Sequence, residues 1–91
     1  MILFEWDEKK ANTNQKKHGV SFDEAATVFL DPLSITVADP ENSEDEYRFV
    51  DIGQSNKDRI LVVSYTERAS RIRIISSRLA LPVERRIYEK G

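Results

Sequence analysis

Four arginines fall within eleven residues, at Arg68, Arg71, Arg73 and Arg78, with no acidic residue among them. A guanidinium stays charged and presents a planar fork to phosphate oxygens, so this segment carries a local field suited to a polyanion. On an extended strand Arg71 and Arg73 share a parity and point to one face about 6.5 to 7 Å apart, close to the spacing of successive phosphates. Arg78, expected just past the end of that strand, would complete a cradle. The plainer reading of the same pattern is the wet face of a half-buried strand, because the arginines alternate with Ile72 and Ile74.

His18 is the only histidine, and histidine is the side chain that titrates near neutrality, which makes it a candidate for proton transfer. At the end of a helix, just before Gly19, it reads more simply as a cap that donates to the last carbonyls and complements the helix dipole. Glu67, at the end of a central strand, is the alternative base, against the plainer reading of an exposed ion pair with Arg68. Tyr65 and Tyr88 would donate a proton or stack on a base, or simply pack with a wet hydroxyl. Lys17, with Lys9, Lys10 and Lys16, would track a phosphate backbone or form an ordinary solvated helix face. Trp6 is expected to anchor that helix.

The elements that must position these residues follow from periodicity. Ile2 to Trp6 reads as a strand that delivers the chain to an N-cap at Asp7. A first helix is expected over about 7–17, with acids in its first turn, lysines in its last, and His18-Gly19 as the stop. It is almost without apolar residues, so it should lie on the surface or bear on a partner. A second helix starts where Ser21 and Glu24 have capping-box spacing and Val20 can staple onto Ala25, and it ends at Asp31-Pro32. Four β-type runs follow, Ser34 to Ala38, Tyr47 to Ile52, Ile60 to Thr66 and Arg71 to Ser76. Their separators are short enough for antiparallel neighbours, and the acidic run Glu41 to Glu46 reads as a solvated turn. Ile60 to Val63 is apolar on both parities, as a central strand covered on both faces would be. A last helix is expected from about Pro82 to Glu89, with Val83 and Ile87 facing inward. The resulting string, β-α-α-β-β-β-β-α, is an α+β fold: a mainly antiparallel meander with the N-terminal strand added beside it, two N-terminal helices and a short C-terminal helix.

The 91 residues fit one domain, and 25 of them are Ile, Leu, Val or Phe, above the range of disordered chains, so residues 1–91 are expected to fold as a single unit. The absence of cysteine excludes a disulfide scaffold, a zinc ribbon and thiol catalysis, and one histidine argues against a histidine-built metal site, so no metal or cofactor is expected. The opening residues lack a basic region and no apolar run is long enough for a membrane span, which places the expected location in the cytoplasm. The net charge of −2 is unevenly divided, with −7 in residues 1–46 and +5 in residues 47–91.

Several segments, taken in order, resemble the BrnT family of toxins over nearly the whole chain: Phe4-Glu5-Trp6-Asp7, Lys17-His18-Gly19-Val20-Ser21-Phe22, Asp39-Pro40, Arg48, Gly53, Ile72-Arg73-Ile74-Ile75-Ser76-Ser77-Arg78, then Glu84-Arg85-Arg86 and Tyr88. The resemblance implies a RelE-like fold, a metal-independent endoribonuclease that inhibits translation and growth, and neutralisation by a BrnA-like ribbon-helix-helix antitoxin through which operator DNA is bound. Two departures are visible. Ser77 stands where the family usually has alanine, and Leu81 stands where a Ser or Thr would cap the final helix opposite Glu84, a loss of about 1 kcal/mol.

Metal-free cleavage of RNA has the ribose 2′-hydroxyl attack its own phosphodiester, which requires a base, a cation over the non-bridging oxygens and an acid for the leaving 5′-oxygen. With the resemblance added, Arg73 and Arg78 are expected to bind the scissile phosphate and Glu67 or His18 to move protons. Arg71, Arg68, Lys17, Tyr65 and Tyr88 are then the expected RNA contacts. The rival from another class is a non-catalytic binding module, in which the same arginines grip nucleic acid or an acidic protein partner without cleaving it.

Overall fold

The computed structural model describes residues 2–43 and 46–91. Along the chain run strand β1 (Leu3–Glu5), helix α1 (Glu8–His18), helix α2 (Phe22–Thr27) continued by a 3₁₀ turn (Val28–Leu30), strand β2 (Ile35–Ala38), a second 3₁₀ turn (Pro40–Asn42), strands β3 (Arg48–Gln54), β4 (Ile60–Arg68) and β5 (Arg71–Leu79), and helix α3 (Pro82–Lys90). The strands form one sheet in the order β1-β5-β4-β3-β2, antiparallel throughout except that β1 lies parallel to β5. The expected α+β architecture is present, with the N-terminal strand beside the last strand of the meander. Of the acidic run, Glu44 and Asp45 lie outside the described residues, and Glu46 pairs with Arg68 at 3.2 Å.

Helix α1 starts where the Asp7 carboxylate accepts the N–H groups of Lys9 and Lys10 at 2.8 and 3.2 Å. It stops at Gly19, whose φ of +69° suits glycine and whose N–H takes the Gln15 carbonyl. Its only buried residue is polar, Asn14. The Asn14 amide pairs with both backbone groups of Ser77: Nδ2 donates to the Ser77 carbonyl at 2.8 Å and Oδ1 accepts the Ser77 N–H at 3.1 Å. Nδ2 also donates to the Val20 carbonyl at 3.0 Å. Because β1 accompanies β5 only from Arg71 to Arg73, the Asn14 side chain takes the place of the missing strand and satisfies backbone groups that would otherwise be buried unpaired. The helix otherwise lies on the surface, as its thin apolar stripe implied, and this polar clamp together with Ala11 packed against the core holds it there.

Helix α2 begins at Ser21, whose Oγ accepts the Glu24 N–H at 3.1 Å. The capping box is only half made, because the Glu24 carboxylate turns instead to Arg59 Nε at 2.9 Å and Ser55 Oγ at 2.7 Å. Those Arg59 hydrogen bonds hold the Glu24 carboxyl below its usual range against the opposing effect of burial. Arg59 also donates to the Gly19 carbonyl at 3.1 Å, so the β3–β4 hairpin grips both α2 and the corner that follows α1.

The core lies between the first two helices and one face of the sheet, where Val20, Phe22, Ala25 and Val28 pack on Leu61, Val63 and Ile74. Phe4, Phe29, Tyr65 and Phe49 extend it as a row of ring contacts with centroids 5.3, 4.9 and 5.7 Å apart. Strand β4 is central and buries Leu61, Val62 and Val63 together, as its apolar run on both parities implied. Gly53 is required at this layer, since a Cβ there would lie 2.8 Å from both the Ser34 Cβ and a Val28 methyl.

Helix α3 corrects the expectation of an inward apolar face. Val83 and Ile87 are 53% and 49% exposed, and no residue of the helix is buried. Polar contacts at its two ends hold it instead: Glu84 to Arg78 at the start, and the Tyr88 hydroxyl donating to Asp31 Oδ2 at 2.6 Å near the end. Leu81 has no capping oxygen, but its N–H donates to Glu84 Oε1 at 2.8 Å, so one half of a capping box survives.

Candidate active site

Strand β5 runs through to Leu79, so Arg78 lies inside the strand, not past its end. The register explains how it still joins the other arginines. Ser64 pairs with Ser76 but Tyr65 pairs with Ile74, which leaves Ile75 as an unpaired bulge residue. By strict alternation Arg78 would face away from Arg71 and Arg73, and the extra residue reverses the parity so that all three share one face.

That face is the one left uncovered by α1 and α2. Register partners place Arg48, Thr66, Arg73 and Glu5 in one row across it. Val37, Val50, Ser64 and Ser76 form the next row, and Ile35, Ile52, Val62 and Arg78 the one after. A groove of about 590 Å³ lies over the last two rows, with Val50, Ile52, Val62 and Ser64 in its floor. Val37 to Asp39 wall it on the β2 side, and Ser76 to Arg78, His18, Glu84 and Ile87 on the β5 side.

His18 and Arg78 therefore meet in one groove. His18 sits in the last turn of α1, where a basic residue complements the helix dipole as expected; the Gly19 N–H takes the Gln15 carbonyl, and the imidazole also lines the groove. Arg78 is gripped from one end: Nη1 and Nη2 donate to the two oxygens of Glu84 at 2.7 and 2.8 Å, and Nη1 also to the Leu79 carbonyl at 3.3 Å. The Glu84 hydrogen bonds raise the Arg78 pKa further, and the same bonds hold the Glu84 carboxyl below its usual range. Arg73 stands two rows from Arg78, just beyond the groove, with Nη1 3.1 Å from Glu5 Oε2. Arg71 is exposed beyond it, and Arg68, drawn to Glu46, ends this basic rim.

The other expected residues are not brought to the groove. Glu67 registers with Ile72, which packs against the core, so it faces the helix side of the sheet, away from the three arginines. Its expected ion pair with Arg68 is replaced by the Arg68–Glu46 pair, because neighbours on a strand point to opposite faces. Tyr65 is 4% exposed and donates to Asp51 Oδ1 at 2.9 Å, which closes it off from a stacking base, and burial pushes its pKa far up. Tyr88 is tied to Asp31, a hydrogen bond that raises its pKa to about 12. Lys17 is exposed on α1 and does not line the groove.

Asp39, Ser64, Ser76 and Glu84 line the groove without having been given a part in the site from the sequence, although Asp39, Ser76 and Glu84 stand in the segments that carry the resemblance. Arg48 was legible in principle, since it shares a parity with Val50 and Ile52, whereas Ser76 reaches this face only through the bulge. Among the described residues no group of three or more His, Cys, Asp or Glu side chains could hold a metal ion, and no helix is long and apolar enough to cross a membrane. The arrangement offers an imidazole, a pre-oriented guanidinium and two serine hydroxyls over a partly apolar floor, flanked by a basic rim. Those are parts for holding a phosphodiester beside a flat apolar group.

Residues 6–84 match the family described as the ribonuclease toxin BrnT of a type II toxin-antitoxin system. Among solved structures, the fold is similar to the crystal structure of the Brucella abortus ribonuclease toxin BrnT, with a TM-score of 0.67 and 29% identity over 89% of this chain and 99% of that one. No curated protein matches the chain.

Proposed function

This chain belongs to the BrnT family of ribonuclease toxins of type II toxin-antitoxin systems, and from that membership we propose that residues 1–91 act as one cytoplasmic domain that cleaves RNA without a metal ion and so inhibits translation and growth. A BrnA-like ribbon-helix-helix antitoxin masks it and carries the complex to operator DNA. The observation that carries the catalytic part is the convergence of His18, from the end of α1, and Arg78, from the end of β5, on one groove.

His18 takes the proton from the ribose 2′-hydroxyl, which attacks the adjacent phosphorus. Arg78 balances the charge that grows on the non-bridging oxygens. Of its five N–H groups, Glu84 and the Leu79 carbonyl occupy three, and the two that remain, on Nε and Nη2, share one edge of the guanidinium as a fork for phosphate oxygens. Arg73, Arg71 and Arg48 hold flanking phosphates along the rim, and the apolar floor receives a base. Water in the open groove protonates the leaving 5′-oxygen, so the reaction is slow, which a toxin needing few cuts tolerates. Glu67 faces the other side of the sheet and is left without a catalytic part.

Purified protein incubated with a defined single-stranded RNA in EDTA tests this reading. Fragments ending in 2′,3′-cyclic phosphates are the expected result. Tight binding with the RNA left intact would replace the enzyme with a binding module.

A further inference from the structure

We propose that Asn14 is a positioning residue for the reaction: its amide fixes α1 on β5 so that His18, one helical turn further on, stands against Arg78. Residues four apart lie on one face of a helix, so the face that carries Asn14 into contact with β5 also carries His18. Asn14 is 7% exposed and bonds both the N–H and the carbonyl of Ser77, the residue directly before Arg78. His18, Ser77 and Arg78 line the same groove. No other residue of α1 is buried; Ala11, one turn earlier, packs against the core from a partly buried position, and Asn14 supplies the directional hydrogen bonds that set the helix on β5. The Arg59 bond to the Gly19 carbonyl pins the corner after the helix, and the Asn14 clamp is the hydrogen-bonded tie of the helix to the strand that bears Arg78. A misplacement of about 1 Å in a reacting group costs on the order of a hundredfold in rate, so a side chain that never touches RNA governs cleavage through His18.

This inference rests on the ribonuclease reading and on His18 working within it. A double-mutant cycle with Asn14→Ala and His18→Ala tests it by single-turnover cleavage of a single-stranded RNA oligonucleotide, run below every variant's melting temperature. His18→Ala should slow cleavage by about a hundredfold or more, and Asn14→Ala by about ten- to a hundredfold. The double variant should be no slower than His18→Ala alone. A double variant slower than His18→Ala by the whole Asn14→Ala factor would show that Asn14 acts independently of His18 and would overturn the proposal, with the ribonuclease reading intact. A His18→Ala protein as fast as wild type would also overturn it. Wild-type protein that leaves the RNA whole in EDTA would remove the ribonuclease reading and this inference together. Should Asn14→Ala melt below the assay temperature, Asn14→Asp, which keeps an acceptor for the Ser77 N–H, takes its place in the cycle with the same expected and overturning outcomes.

Discussion

Arg78 and Glu84 face each other across the turn between β5 and α3 and share two hydrogen bonds, of 2.7 and 2.8 Å. The same carboxylate accepts the Leu81 N–H, so one side chain both orients a cation of the groove and starts the last helix. Since α3 buries none of its residues, its hold on the sheet and the aim of Arg78 are coupled through Glu84.

That coupling has a pH signature. Arg78 lowers the Glu84 pKa from 4.5 in the folded protein, so the pair's contribution to stability is present above about pH 4.5 and is lost as pH falls through the lower folded value. Glu84→Gln keeps an acceptor for the Leu81 N–H but cannot make the charged pair. It should lower stability at pH 7 by about 1 kcal/mol or less, since the Arg78 side chain is 38% exposed and the pair is screened by water. The difference should shrink as pH falls below about 4.5. Melting curves of both proteins from pH 3 to 7 check this, and a constant gap across that range would show that Glu84 contributes no charge pairing.

The two arginines assigned to phosphate should separate by their structural side effects. Arg73 shares only a partly exposed pair with Glu5, so Arg73→Ala should abolish growth inhibition while costing at most about 1 kcal/mol. Arg78→Ala should abolish it as well, and should also free α3, visible as faster amide exchange through residues 82–90. A well-folded Arg73→Ala variant that still arrests growth would strike Arg73 from the phosphate site.

Ser77 supplies a prediction in the opposite direction. Its Oγ is buried without a hydrogen-bond partner, while its backbone groups are clamped by Asn14. A buried hydroxyl left unpaired is unfavourable by about 1 kcal/mol or more, and alanine in its place keeps the clamp. Ser77→Ala should therefore raise stability by about 1 kcal/mol in urea denaturation. A loss of stability would mean that the hydroxyl has a partner.

The β-strand string, the α+β class and the central place of β4 were legible because apolar runs such as Leu61-Val62-Val63 carry their own periodicity. The arginine face was only half legible. Parity counting joined Arg71 to Arg73 correctly but did not place Arg78, which was expected past the strand's end and instead lies within β5, sharing their face through a bulge at Ile75 that leaves no mark in an apolar pattern. It could not assign Glu67 either, since the same alternation that brings Arg68 to Glu46 turns Glu67 to the opposite side. The Asn14 clamp and the two polar ties of α3 were illegible for a related reason. Hydrogen bonds between residues 63 or 57 apart, such as Asn14 with Ser77 or Tyr88 with Asp31, have no local sequence signature.

The role of His18 is decided by how cleavage responds to pH. An imidazolium cannot accept a proton, so a base built on His18 should make single-turnover cleavage slow progressively as the pH is lowered. His18→Ala should lower the rate by about a hundredfold or more and flatten that acid limb in the residual activity. It should do so at a loss of stability of about 1 kcal/mol or less, the scale of a basic residue in the last turn of a helix. Glu67→Gln is the matching control: facing the helix side of the sheet, it should leave both the rate and its pH dependence unchanged. Rates measured from pH 5 to 9 for the three proteins give distinct outcomes. An acid limb that persists in His18→Ala and disappears in Glu67→Gln would transfer proton transfer to Glu67, and would require that strand end to rearrange when RNA binds.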